Sequence, residues 1–213
     1  MREKLNFTYS SSEEKLNIWS HAFGLLCSVI VFPFLVIKAL NFNGVLKPTS
    51  FIIYGCSLII LYAASTFYHA ATAPKKRRKL NILDHAAIYV LIAGSYTPFS
   101  LVSLEPNLGW YLFIFVWIFA LIGVILKLFF TGRYNKLSTA MYVLMGWQVV
   151  FFINPLIESL SSFSLNFLFI GGVFYSVGAI LYMIKKLPYN HAIFHLFVLL
   201  GSFSHFLAIY DLQ

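Results

Sequence analysis

The chain has 213 residues, of which 60% are hydrophobic, 19% aromatic and only 10% charged, with a formal net charge of +8. A soluble domain carries about 25% charged residues, so this composition excludes a water-soluble fold and indicates an integral membrane protein. The basic balance would suit nucleic acid, but its distribution along the chain, given below, argues against that partner.

A bilayer core about 30 Å thick needs roughly 20 apolar residues of helix. Residues 1–17 read as a polar cytoplasmic tail of mixed charge, without a small-residue cleavage pattern. Seven apolar stretches follow, at 18–40, 49–70, 83–104, 109–130, 139–157, 165–184 and 191–210, and Asn154-Pro155 interrupts the fifth. Turn residues separate them: Asn43-Gly44 and Pro48, Pro74, Pro106-Asn107, Gly132, and Pro188-Tyr189-Asn190. The expected fold is an all-α, seven-transmembrane bundle in a single domain covering 1–213. Cys27 and Cys56 fall inside apolar runs and read as small buried hydrophobes, not as a disulfide.

Thirteen of the 15 Lys and Arg lie on one side of this map: the N-terminal tail, a run at 75–79, and the loops holding Lys127, Arg133, Lys136, Lys185 and Lys186. Only Lys38 and Lys47 lie opposite. Positive loops stay cytoplasmic, which predicts the N-terminus inside and the C-terminus outside. The basic excess is thus a topology signal with attraction for anionic headgroups, and no nucleic-acid partner is implied.

The unusual polar residues collect at the same side. His69 ends the second stretch, Asp84 and His85 open the third, His21 opens the first, and His191 and His195 open the seventh. Residues four apart share a helix face, so His191 and His195 make half of a metal site. Imidazole nitrogens suit tetrahedral Zn²⁺. Ionisable groups inside spans are costly and usually face a cavity where they act. Asp84 has a second reading as the cap of the third helix, paired with the basic run. His21 and His85 read as interfacial residues among headgroups, with His21 the reserve ligand. His205 reads as a packing residue beside Ser202 and Ser204. Ser65 shares the face of His69 and either back-bonds within its helix or orients a ligand.

Ser65-x-x-x-His69, Asp84 and His191-x-x-x-His195, with Ser20-His21-Ala22-Phe23-Gly24 and Ala93-Gly94-Ser95-Tyr96-Thr97-Pro98, resemble the haemolysin III branch of the progestin and adipoQ receptor family, over nearly the whole chain. The related alkaline ceramidases share the pattern. The resemblance implies seven spans and a Zn²⁺ held by His69, His191 and His195 near the cytoplasmic face, with Asp84 holding the metal-bound water. Three protein ligands leave a catalytic position open. The expected function is a zinc-dependent hydrolase in the bacterial plasma membrane, acting on a lipid amide or ester, with Asp84 and Ser65 catalytic and a ceramide-like lipid as substrate. The alternatives are a membrane-disrupting haemolysin and a lipid-responsive sensor with a structural metal.

Overall fold

The computed structural model describes residues 9–131 and 135–213. Among these, eight α-helices make seven spans, and there is no strand. The helices are α1 (Ser11–Ala39), α2 (Leu46–Ala70), α3 (Pro74–Pro98), α4 (Pro106–Phe130), α5 (Asn135–Gly146), α6 (Ile153–Ser159), α7 (Ser162–Met183) and α8 (Asn190–Tyr210). A π-turn at Phe99–Ser103 extends α3, and a 3₁₀ segment at Trp147–Phe152 joins α5 to α6. The chain is a multi-pass membrane protein.

Two boundaries move, and both moves matter for the site. Helix α1 starts at Ser11, so part of the expected tail is helical. Ser10 caps it, its Oγ accepting the Glu13 N–H at 3.2 Å, the helix-start pattern of Ser followed three residues later by Glu. Helix α3 starts at Pro74, so the expected basic loop at 75–79 is its first turns. Pro is well placed at a first helical position, and Lys, Arg and Leu are good helix formers. Hydropathy marks where a helix becomes apolar, not where it begins. Lys127 likewise belongs to α4 and is buried, not part of a loop.

The interruption expected in the fifth span is the 3₁₀ segment. Pro155 has no N–H and crowds the preceding turn, and the chain tightens just before it. Groups freed by such a break must find partners inside a bilayer. Tyr96 of α3 supplies them: its hydroxyl donates to the Gly146 carbonyl at 2.6 Å and accepts the Val149 N–H at 2.8 Å.

Consecutive spans α1, α2 and α3 pack side by side, as do α7 and α8, and α8 returns to contact α1. Outward faces are apolar, with Trp19 and Phe23 on α1 and Phe115, Ile118 and Ile122 on α4 exposed to where lipid would lie. Inside, small residues let helices approach. A Cβ on Gly24 would stand 2.6 Å from the Tyr62 ring, and one on Gly171 would collide with His205. Cys27 and Cys56 are free thiols and half-buried.

Candidate metal centre

Four helices build the site at one end of the bundle. His69 sits in the last turn of α2, His191 and His195 in the first turns of α8, and the opening turns of α1 and α3 supply their neighbours. Helix α8 begins abruptly. Tyr189 takes a left-handed conformation (φ 56°) and offers no side-chain cap, which costs a non-glycine residue roughly 1–2 kcal/mol. The turn is held from outside, because Glu13 of α1 accepts the His191 N–H at 3.2 Å and Asn190 donates to the Tyr182 carbonyl at 2.7 Å.

The three histidines converge. His191 Nε2 is 3.2 Å from His69 Nε2 and 3.1 Å from His195 Nε2, and ligand atoms of all three fall within 4.8 Å of one another. Tetrahedral ligands at 2.0–2.1 Å from a zinc-sized ion stand about 3.3 Å apart, so the spacing suits a single ion. For His69 and His195 the far side of the ring decides the protonation. His69 Nδ1 meets the Glu14 carboxylate at 2.6 Å, and His195 Nδ1 meets the Asn17 carbonyl and Ser20 Oγ, both at 3.3 Å. A carboxylate and a carbonyl accept only, so Nδ1 carries the proton and donates. That leaves the Nε2 atoms of His69 and His195 each with a lone pair directed at His191 Nε2. A proton on His191 Nε2 answers only one of these two contacts, whereas a cation among the three nitrogens answers both. The residues present therefore fit a metal ion.

Glu14 is itself anchored. Its second oxygen pairs with Arg77 of α3, and Arg77 also donates to the His69 and Ala71 carbonyls at 3.3 and 3.2 Å. One guanidinium thus caps the end of α2 and fixes the carboxylate that orients His69, as metal-binding histidines require. Tyr9 stacks on His191, with ring centroids 4.5 Å apart and planes 22° from parallel. Burial pushes its phenol well above the ordinary range, so the ring stays neutral.

Asp84 and Ser65 lie on the wall of a cavity of about 150 Å³ that also takes in His191 and His195. Asp84 is buried and near enough to Ser65 for their side chains to interact. Among the described residues Ser65 Oγ finds no hydrogen bond of good geometry, so it does not back-bond in α2. The cap reading of Asp84 is overturned: α3 starts at Pro74 with Ala73 before it, which places Asp84 turns inside the helix.

The interfacial reading of His21 is also corrected. His21 is buried and lies flat against His195, centroids 3.5 Å apart and planes 8° from parallel, with neither ring nitrogen partnered among the described residues. His85 is half-buried on the cavity wall. His205 is a packing residue as expected, but its Nε2 meets the Leu168 carbonyl at 3.2 Å, while Ser202 takes the hydroxyls of Tyr62 and Tyr175. Glu13, Glu14, Asn17 and Arg77 escaped the sequence reading. Ser10-x-x-Glu13 was the one signal that a helix, and hence a packed face, begins there.

Residues 9–206 match the family described as Haemolysin-III related. The chain is 44% identical over 201 residues to the "Hemolysin-3 homolog" of Bacillus subtilis (strain 168), covering 94% of each chain. It is 42% identical over 210 residues to "Hemolysin-3" of Bacillus cereus, covering 98% of this chain and 96% of the relative. Against the human "Monocyte to macrophage differentiation factor" identity is 29% over 208 residues, with 93% and 83% covered.

Proposed function

The chain belongs to the haemolysin III family, and from that premise we propose that it is a zinc-dependent hydrolase of a lipid amide or ester. The observation that carries this reading is the convergence, among the described residues, of three and not four imidazole Nε2 atoms beside a cavity walled by Asp84. Sites that serve only structure are closed by four protein ligands, whereas catalytic sites keep one position open. His69, His191 and His195 would hold the ion, which when bound supplies Lewis acidity toward water and a carbonyl oxygen.

The chain's own residues do the rest. Asp84 takes a proton at its carboxylate from the attacking water and returns it to the leaving amine or alcohol. Ser65 Oγ, which is uncommitted in its helix, donates to the oxygen on which charge develops. Glu14 and the Asn17 carbonyl keep the ligand rings oriented. The substrate is a membrane lipid, ceramide-like in having an acyl group at headgroup depth. We place the site at the cytoplasmic face, on the bias of basic residues.

The test uses purified protein in phosphatidylcholine nanodiscs. One Zn²⁺ per chain is expected, lost for the most part in His69→Ala, His191→Ala or His195→Ala but kept in His205→Ala. Fatty-acid release from added ceramide or ester lipid should stop with chelator and return with Zn²⁺. Full metal occupancy in the double variant His191→Ala, His195→Ala would remove the site. A cytolytic reading attaches to the name of the Bacillus cereus relative, "Hemolysin-3". It requires dye release from vesicles without any free fatty acid, and that outcome would replace hydrolysis.

A further inference from the structure

The cavity beside the histidines holds a cation that the hydrolytic reading does not use. Lys127 lies at the end of α4 near the triad's side of the bundle and is 3% exposed. Its Nζ donates to Ser138 Oγ at 2.6 Å and stands 5.8 Å from the centre of the Tyr142 ring. An ammonium has three donors, and one hydroxyl with one ring face answers only part of that charge. Among the described residues no carboxylate lies within ion-pair distance of it. Asp84 is within electrostatic reach of both Lys127 and His69 without touching either. Taking a charge out of water costs several kcal/mol unless a partner compensates it, and inside a membrane such a residue usually serves a ligand or an ion path.

The cavity's other walls favour a ligand. Polar side chains of His21, Ser65, Asp84, His85 and Lys127 gather among walls that are otherwise largely aliphatic and aromatic. That is the profile of an amphiphile with its head beside Lys127 and its chain along the apolar wall. We propose that Lys127 recognises an anionic group, a carboxylate or a phosphate, and that the lipid accepted by the cavity carries one. A neutral amphiphile would leave the charge at Nζ answered, among the described residues, only by Ser138 and the Tyr142 ring. This inference rests on the cavity being a lipid site and does not require that the lipid be hydrolysed.

Equilibrium binding of oleyl phosphate, oleate and oleyl alcohol, which differ at the head group, tests it in zinc-loaded protein in phosphatidylcholine nanodiscs. The wild type should bind at least one of the anionic amphiphiles about 10- to 100-fold more tightly than the alcohol, the worth of a hydrogen bond to a charged group. Which of the two it prefers separates phosphate from carboxylate. Lys127→Met should lose the preference and Lys127→Arg should retain it, both at wild-type metal content. Lys127→Gln, which keeps a donor to Ser138 without the charge, serves if the Met variant does not fold. Equal binding of all three by the wild type would overturn the inference. A preference surviving in Lys127→Met and Lys127→Gln would also do so, leaving Lys127 as a counter-charge to Asp84. The double variant His191→Ala, His195→Ala should keep the preference. If it disappears there, the metal and not Lys127 is the anion's anchor. Because no turnover is read, a failure of hydrolysis and a failure of this inference remain distinct results.

Discussion

Asp84 is the residue on which catalysis and structure separate most cleanly. With α3 starting at Pro74, a capping role is gone, and among the described residues the carboxyl has no ion pair to lose. Asn has the same shape and the same capacity to meet Ser65, but it does not accept a proton. Asp84→Asn should therefore fold as wild type. It should retain its metal to within the roughly 10–100-fold that outer partners contribute to affinity, and lose about 10²–10⁴-fold in hydrolytic rate. Lipid turnover and metal content measured on one preparation decide it: wild-type turnover would remove Asp84 from the reaction. Loss of all metal would instead make Asp84 a direct ligand and close the open position.

At the level of elements, the first turns of α1 matter more than their hydropathy suggests. Glu13 caps α8, Glu14 orients His69, the Asn17 carbonyl orients His195, and His21 lies flat against it. One helix start thus fixes the end of α2 and the start of α8, which carry the ligands. Glu14→Gln keeps an acceptor for His69 but removes the charge that strengthens the bond and pairs with Arg77. The expected result is a metal affinity lower by about 10–100-fold, read by competition with a chelator of known strength. Lys15→Gln, one position on and exposed, should not change it. An unaltered affinity in Glu14→Gln would show that the carboxylate has no part in orienting the ligand.

For the whole molecule, the open question is which way it lies in the membrane. Arg77 and Lys127 are buried and serve neighbouring groups, so they are weaker topology signals than their place in the sequence implies. Lys75, Lys76, Arg78 and Lys79 remain at the start of α3, with Lys185 and Lys186 just past α7, against Lys38 and Lys47 at the other end. The bias therefore still predicts the N-terminus inside. A reporter fused after Gln213 should be active only outside the cytoplasm, and cytoplasmic activity would invert the bundle and carry the metal centre to the outer face.

Seven spans, the membrane setting and the histidines at one depth were legible in the sequence, because hydropathy, turn residues and i, i+4 spacing are local properties of a chain. Helix starts at Ser11 and Pro74 were not, because polar residues that form good helices look like loops until they pack. Nor could spacing show that Glu14, Asn17 and Arg77 serve His69 and His195, since those contacts join residues up to 178 positions apart. Whether a buried charge is compensated depends on which helices become neighbours. For Glu14 the fold supplies His69 and Arg77; for Lys127 it supplies a serine, a ring face and a cavity.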